Sequence, residues 1–187
     1  MKIYSVKSDV NKYNWLIPEE TGEELLTLNT FDCKRRLDTW TSPLVSVLNS
    51  KTGTADFLNY HPSVLLVSPD AFGLVRPFFM AAGELLPLWF NGEQFTLLNI
   101  TNCVNALDDA KTDWLLAKDG SKVEIRKHAF IPEKLNESSL FKIPETCRGS
   151  VLTWEKTGNP EKEFKAFVEY NNLTGLLFDE LWDSEAS

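Results

Sequence analysis

Residues 64–100 read VLLVSPDAFGLVRPFFMAAGELLPLWFNGEQFTLLNI, and this stretch decides the fold. The continuous apolar run Val64–Val67 has the length of a buried strand. Ser68-Pro69 follows directly. Serine is a preferred N-cap and proline suits the first turn, so the pair predicts a helix that begins at Pro69.

The predicted helix carries Phe72, Val75 and Phe79 on one side, an apolar stripe typical of a core-facing helix. Pro77 lies within it, and we expect it to kink the helix or divide it in two, because proline lacks an amide hydrogen and clashes with the preceding turn. Gly83 comes next, and glycine tolerates the left-handed C-cap conformation. We therefore expect Gly83 to close the helix in that conformation.

A hairpin is predicted where Asn91-Gly92 separates Leu85–Phe90 from Gln94–Ile100. Asn-Gly between two apolar runs is the strongest short-range hairpin signal, because both central residues of a type I′ turn need positive φ. The quoted stretch therefore contains a strand, a helix and two paired strands.

Shorter elements are predicted on either side of this stretch. The N-terminal part carries two strand-like pieces, Ile3–Val6 and Leu25–Leu28. A second hairpin is predicted with an Asp119-Gly120 turn between Trp114–Leu116 and Val123–Ile125.

The C-terminal segment repeats the order strand, helix, strand. The strands are predicted at Ser150–Trp154 and Leu173–Phe178. Asn159 is the predicted N-cap and Pro160 the first helical residue. The apolar residues of this helix recur at helical spacing, at Phe164, Phe167 and Val168.

These two segments resemble each other in layout. The first strands are offset by 87 residues, from Val64 to Val151, and the last by 88, from Leu85 to Leu173. Two related strand–helix–strand units explain the offset, although chance also would, since the motif is common. We predict an α+β fold with mixed or antiparallel sheets and packed helices. The chain is expected to form a single domain over 1–187, with a variable part at 1–60.

Composition limits the function classes. The 187 residues include 19 Lys+Arg against 27 Asp+Glu, a net charge of −8 that disfavours a nucleic-acid partner. No apolar run approaches the ~20 residues that a membrane-spanning helix needs. The opening residues lack the apolar core of a signal peptide, so we expect a cytoplasmic protein without a membrane partner.

Nucleophilic chemistry has little support in the sequence. The three cysteines, Cys33, Cys103 and Cys147, are far apart and form no C-x-x-C motif. In a reducing cytosol they are interpreted as small buried residues or uninvolved thiols. His61 and His128 lie in no recognisable catalytic signature. We expect no enzyme, no cofactor and no metal.

Carboxylates form two notable groups. Asp108, Asp109 and Asp113 lack the ligand alternation of a calcium loop and are interpreted as a helix start or an exposed turn. Residues 151–187 hold eight acids against three lysines. Such an acidic surface steers basic partners toward it, although ordinary solubilising charge is an equal explanation.

Five segments together resemble immunity family eleven of bacterial polymorphic-toxin systems, also catalogued as a domain of unknown function. The resemblance extends over residues 60–183. The segments are Phe95–Ile100, Asn105–Asp108, Leu140–Pro144, Phe164–Phe167 and Leu173–Trp182.

The resemblance implies a non-enzymatic protein that binds and neutralises a cognate toxin, for example a basic nuclease-type toxin, inside the producing cell. The alternatives are an adaptor or structural module of a larger assembly and, less favoured, a hydrolase using scattered carboxylates. The oligomeric state is left open. The candidate partner-binding residues are Asp179, Glu180, Trp182, Asp183, Glu161 and Glu163.

Overall fold

Two four-stranded antiparallel sheets and two helices contain most of the helix and strand residues in the described part of the chain. The computed structural model describes residues 1–19, 31–49, 51 and 55–186. The strand predicted at Leu25–Leu28 lies outside the described residues. The α+β prediction is confirmed.

The helices are α1 (Pro69–Ala82) and α2 (Phe164–Tyr170). The strands in chain order are β1 (Lys2–Ser8), β2 (Trp15–Pro18), β3 (Val45–Asn49), β4 (Phe57–Leu58), β5 (Leu65–Val67), β6 (Gly83–Phe90), β7 (Glu93–Ile100), β8 (Asp113–Leu116), β9 (Lys122–Lys127), β10 (Leu140–Phe141), β11 (Leu152–Glu155) and β12 (Leu176–Asp183). Short 3-10 turns lie at Leu37–Thr39, Pro132–Lys134 and Pro144–Thr146.

Helix α1 begins where the sequence predicts. The Ser68 hydroxyl oxygen accepts a hydrogen bond from the Ala71 amide at 3.3 Å, which satisfies one of the free amides of the first turn. Pro77 lies inside the helix, which continues past it to Ala82. Of the two outcomes expected for Pro77, a kink or a division, the structure excludes division.

Gly83 follows α1 as expected, but its conformation differs from the prediction. Its φ of 176° is extended rather than left-handed, and it already starts β6. A Cβ at this position would lie 2.0 Å from the carbonyl oxygen of Asn99. Glycine is needed here because β7 passes too close for any side chain.

Both predicted hairpins are present. Asn91 (φ 50°) and Gly92 (φ 80°) form the turn between β6 and β7, which pair over their full length. Strands β8 and β9 form a separate two-stranded sheet. Positive φ at Gly120 occurs in the predicted turn of this second hairpin.

The C-terminal helix is shorter than predicted. Residues 160–162 form a turn in which the Asn159 carbonyl accepts the Lys162 and Glu163 amides at 3.1 and 2.9 Å. Glu163 then adopts an extended φ of −118° and serves as the N-cap. Helix α2 therefore begins at Phe164 rather than Pro160, because this turn interrupts the helical backbone.

The strand after α2 also begins later than predicted. Leu176 is its first residue, whereas the sequence indicated Leu173. The Thr174 carbonyl accepts the Phe57 amide at 3.0 Å. Gly175, with φ 99°, turns the chain so close to Phe57 that a Cβ would lie 2.0 Å from the Phe57 carbonyl oxygen. These contacts hold residues 174–175 against the backbone of Phe57 just before β12 begins; we call this place the crossing point.

The two large sheets share one topology. Their strand orders are β4-β5-β7-β6 and β10-β11-β1-β12. In the first sheet, the strands before and after α1 in sequence, β5 and β6, both pair with β7, which lies antiparallel between them. In the second sheet, the strands before and after α2, β11 and β12, pair in the same way with β1. The two predicted strand–helix–strand segments thus have the same strand order in their sheets.

The second unit is completed by the first strand of the chain. Strand β7 reaches its place through the Asn91-Gly92 turn, whereas β1 comes from the opposite end of the sequence. The Ser184 amide donates to the Met1 carbonyl at 2.9 Å, next to the Lys2–Asp183 pair. Residues 184 and 1 thus lie where the first unit has its turn.

Both helices pack into one hydrophobic cluster. The rings of Phe57 and Phe79 from the first unit lie 6.1 and 6.4 Å from that of Phe164 in α2. Val6 of β1 and Val151 belong to the same cluster. The two units therefore share a core. Neither helix in the described part of the chain is long and apolar enough to cross a membrane.

Candidate partner-binding surfaces

Four of the predicted contact residues, Trp182 and three acids, lie on β12, an outer strand of its sheet. Asp179 pairs with Lys7 at 2.7 Å. Glu180 and Asp183 both pair with Lys2, at 2.7 and 3.4 Å. Strand β12 therefore carries three carboxylates whose charge is largely balanced by two lysines of the neighbouring strand β1.

Asp179 and Glu180 do not form one continuous acidic face. Successive residues of a strand point to opposite sides, and the two acids lie opposite Ser5 and Tyr4 of β1. Glu180 shares its side with Lys2. On that side Lys165 also pairs with Glu155 at 3.4 Å. The charges on this side thus form a network of alternating sign.

Trp182 is a core residue. Its side chain is 8% exposed and packs in the cluster that contains Ile3 and Phe130. The rings of Phe130 and Trp182 lie 5.9 Å apart in an edge arrangement. The prediction that Trp182 anchors a partner is therefore wrong, because strand alternation and the bulge opposite Ile3 and Tyr4 turn it inward.

Glu163 is also buried, at 2% exposure. Its carboxylate accepts hydrogen bonds from the Thr157 amide at 2.9 Å, the Thr157 hydroxyl at 2.8 Å and the Gly158 amide at 2.8 Å. Burial by itself would raise the pKa of Glu163, but these hydrogen bonds outweigh burial and lower it. Glu163 thus holds the loop before α2, which corrects its assignment as a contact residue.

Glu161 remains exposed, on the rim of a cleft of about 580 Å³ beside α1. Lys156 and Lys162 lie on the same rim, and Phe78 and Trp154 form part of the wall. The ammonium of Lys156 lies 4.9 Å from the centre of the Trp154 ring. Glu161 therefore belongs to a surface of mixed charge.

In a second cleft, of about 510 Å³, the charged lining residues that the structure describes are all acids; we call it the acidic cleft. It contains three carboxylates, those of Asp56, Asp70 and Glu93, and no lysine, arginine or histidine among the described residues that line it. Asp70 and Glu93 are exposed and form no ion pair within 4.0 Å in the described part of the chain. Their charges are therefore available to a partner.

Elements of both units form the acidic cleft. Asp70 lies in the first turn of α1, and Glu93 starts β7 directly after the hairpin turn. Asp56 accepts hydrogen bonds from the amide and the hydroxyl of Thr174 at 2.7 and 2.8 Å. The cleft thus lies at the crossing point where Phe57 meets residues 174–175.

Apolar side chains form part of the wall of the acidic cleft. The rings of Phe90 and Phe95 lie 6.1 Å apart at a steep angle. Leu58 and Pro69 add apolar surface. Carboxylates beside aromatic rings suit a lysine or arginine side chain, whose stem packs on apolar surface while its charge meets the acids. No local sequence pattern indicates this site, because its acids come from three separate segments.

The other candidate groups have structural partners. Asp109 forms an ion pair with Lys122 and accepts the Trp114 indole N–H at 3.1 Å, which stabilises the second hairpin. His61 Nδ1 accepts the Ser63 amide at 3.2 Å, and His128 stacks on an aromatic ring of the core. Burial lowers the pKa of both histidines. The residues that the structure describes contain no group of three His, Cys, Asp or Glu that could hold a metal.

Comparison with other proteins leaves the family open. No protein-family model matches the sequence, and a search of curated proteins found no significant similarity.

Proposed function

We propose that this chain is an immunity-type protein, which acts in the cytoplasm of the producing cell, without catalysis, by binding and neutralising a basic toxin. The acidic cleft carries the proposal. It combines three carboxylates, apolar walls and no cation among its described lining residues. A cleft of this kind accepts a lysine or arginine side chain that projects from the partner.

Electrostatics favours the acidic cleft over β12 as the contact. The acids of β12 already face Lys2 and Lys7 at 2.7–3.4 Å, so a partner's cation would have to replace an existing pair. Among the residues that the structure describes, Asp70 and Glu93 have no such pair to lose. A new ion pair in a partly enclosed site gains more than an exchange of exposed pairs.

The site is also preformed, which lowers the entropy cost of binding. Ser68 caps the first turn of α1 next to Asp70. The tight Asn91-Gly92 turn and the full β6–β7 ladder hold Glu93 in place. Two of the three acids thus lie at the ends of regular elements, and the third is fixed by Thr174.

The test is co-expression with the candidate toxin encoded by the neighbouring gene. We expect the chain to prevent killing and to form a complex with the toxin. Asp70→Asn combined with Glu93→Gln should weaken the complex by about tenfold or more, since a charge pair at a binding interface contributes over 1.4 kcal/mol. Both side chains are exposed and form no ion pair with a described residue, so we expect the variant to fold.

Asp179→Asn combined with Glu180→Gln is the matched control, because it also removes two exposed acids. Its affinity should stay close to that of the unaltered protein. If the control loses binding while the cleft variant retains it, β12 is the contact and the cleft assignment is wrong. Unchanged killing in the presence of the unaltered chain would refute neutralisation itself.

A further inference from the structure

The outward face of α1 is apolar. Leu74 is 49% exposed and Met80 is 60% exposed. Gly73, Pro77 and Ala81 are exposed beside them. A surface helix of a globular domain turns a charged or polar face to solvent, so an apolar face on this side indicates contact with another molecule.

Only two residues of α1 are charged, Asp70 and Arg76. Both are exposed, and neither forms an ion pair within 4.0 Å with a residue that the structure describes. Asp70 lies three residues before Gly73, and Arg76 lies three residues after it. Because a helix advances about 100° per residue, the two charges lie about 60° to either side of Gly73. The face is therefore symmetric in position and opposite in charge about Gly73.

Such a face is complementary to a second copy of itself. When a two-fold axis passes beside Gly73 and the two helices run antiparallel, Arg76 of each copy lies level with Asp70 of the other. Residues 70, 73 and 76 form one row at i±3 spacing, and such rows pack into the grooves of a facing helix at a crossing angle of about +20°. At this shallow angle the long arginine side chain reaches the carboxylate, and two identical ion pairs border the contact.

Gly73 suits the centre of this contact. Among the described residues, nothing lies within 4 Å of a Cβ added at this position, so the fold of the single chain does not require glycine here. Glycine also lowers the stability of a helix relative to alanine. Its lack of a side chain lets two helix backbones approach closely, which brings the exposed Pro77 of each copy against the exposed Pro69 of the other.

We propose that α1 is the interface of a homodimer, in which the outward faces of two copies pack antiparallel about Gly73. A second copy supplies an acid and a base at matching positions by symmetry, whereas an unrelated protein would need both at the same spacing. One pair of 14-residue helices buries less than the about 1,200 Å² of a stable interface, so the dimer should be weak, with a Kd on the order of 10–100 μM.

Sedimentation equilibrium of the purified full chain, from about 1 μM to about 1 mM, measures this association. The mass should rise from 21.3 kDa toward twice that value. Arg76→Asp should weaken the dimer by about tenfold or more, because acids then face acids at both ends. Arg126→Asp is the matched control, because Arg126 is an exposed arginine on β9 without an ion-pair partner among the described residues, and should leave the Kd unchanged.

Charge exchange distinguishes this interface from a general loss of fold. Asp70→Arg should weaken the dimer as Arg76→Asp does, because arginines then face arginines. A mixture of these two single variants should form a heterodimer, since each acid of one chain meets an arginine of the other. Asp70→Arg combined with Arg76→Asp should associate like the unaltered chain. Recovery of association in the mixture requires both variants to be folded.

Gly73→Leu tests the centre of the contact. It adds a side chain where the single chain has open space, so the variant should fold and should lose the dimer. Two results would overturn the proposal. One is a monomer at every concentration, which would leave this face to a different protein. The other is a dimer that resists both Arg76→Asp and Gly73→Leu.

Asp70 also lines the acidic cleft, so the dimer and a bound toxin would compete for this residue. This consequence rests on the proposed function, whereas the dimer itself does not, because its measurements use the isolated chain. Gly73 is not among the residues that line the cleft. Gly73→Leu should therefore lose the dimer and keep toxin binding, and loss of both would contradict the separation of the two contacts.

Discussion

Gly83 and Asn99 lie so close across the β6–β7 ladder that no side chain fits at residue 83. An added Cβ would lie 2.0 Å from the Asn99 carbonyl oxygen and 2.9 Å from Cα of Ile100. Both obstacles are backbone atoms, which cannot turn aside as a flexible side chain would. The backbone at the end of α1 therefore lies in direct contact with the backbone of β7, an inner strand of its sheet.

Gly83→Ala should therefore lower the free energy of unfolding by about 2–3 kcal/mol, the upper range for overpacking. Gly73→Ala is the matched control, because Gly73 lies in α1 with nothing within 4 Å of an added Cβ. The control should raise stability by about 0.5–1 kcal/mol through helix propensity. Urea denaturation of both variants measures the difference, and equal effects would contradict the contact.

Glu163→Gln should destabilise the protein by about 1–3 kcal/mol, since it removes a buried charge that accepts several hydrogen bonds. Glu161→Gln is the control, because Glu161 is exposed, and should change stability by less than about 0.5 kcal/mol. Urea denaturation at neutral pH distinguishes the two. An equal response would mean that the loop at residues 157–158 does not depend on this carboxylate.

The same residue should contribute to acid sensitivity. The folded pKa of Glu163 lies below its unfolded value of 4.5, so its stabilisation is present above that value and is lost as pH falls through the folded pKa. Glu163→Gln should therefore lose less stability than the unaltered protein during acidification. Parallel acid-dependent slopes for the two proteins would contradict this assignment.

Lys142 should make stability rise with pH in the alkaline range. Its pKa is about 8 in the folded protein and 10.5 when unfolded, so the unfolded chain binds more protons between these values. Raising the pH across this window should relieve a penalty on the order of 3 kcal/mol. Over this pH range, the unfolding free energy of the unaltered chain should therefore rise relative to that of Lys142→Met, whose methionine does not titrate.

Cys33 and Tyr60 act in the opposite direction, because their folded pKa values of about 12 lie above the unfolded ones. Each group stabilises the folded state below its unfolded pKa, which is 9.0 for Cys33 and 10.0 for Tyr60. This stabilisation is lost as the pH rises from that value through the folded pKa. The chains with Lys142 and with Lys142→Met should therefore both carry Cys33→Ser, which removes the thiol. Tyr60 is present in both chains, so its contribution cancels in the difference between their unfolding free energies. A pH-independent difference would contradict the burial of a charged lysine.

The shared topology predicts that a circular permutant folds. A short linker can join residue 184 to residue 1, because the Ser184 amide donates to the Met1 carbonyl at 2.9 Å. New ends between Asn91 and Gly92 open an exposed turn. The permutant should keep the far-ultraviolet and near-ultraviolet circular dichroism of the parent. New ends between Leu97 and Leu98, both fully buried, should prevent folding and serve as the control.

Local sequence signals predicted most of the elements near residues 64–100. Ser68-Pro69 started a helix and Asn91-Gly92 formed a hairpin, because capping and positive φ depend on neighbouring residues alone. The boundaries of α2 and β12 were less accurate. Glu163 is held there by hydrogen bonds from residues 157–158, and Gly175 is held by its close approach to Phe57. The hydrophobic and capping patterns of these segments do not show such contacts.

The candidate site could be predicted only in part. The sequence indicated acids at the C-terminal end, and strand pairing with β1 supplied Lys2 and Lys7 to three of them. The pairing with β1 also determines the position of Trp182, because the bulge in that pairing sets which side of the sheet its side chain faces. A charge count along the chain cannot show which acids already have partners.

By itself, the sequence determined the class of fold, the α1 start and the hairpin turns, since those follow from hydrophobic period, capping and backbone preference over a few neighbouring residues. Only the tertiary structure inserted β1 into the second sheet and placed Asp56, Asp70 and Glu93 around one cleft. The physical reason is distance along the chain: these groups meet through strand pairing and core packing, and the free energy of those contacts belongs to no single segment.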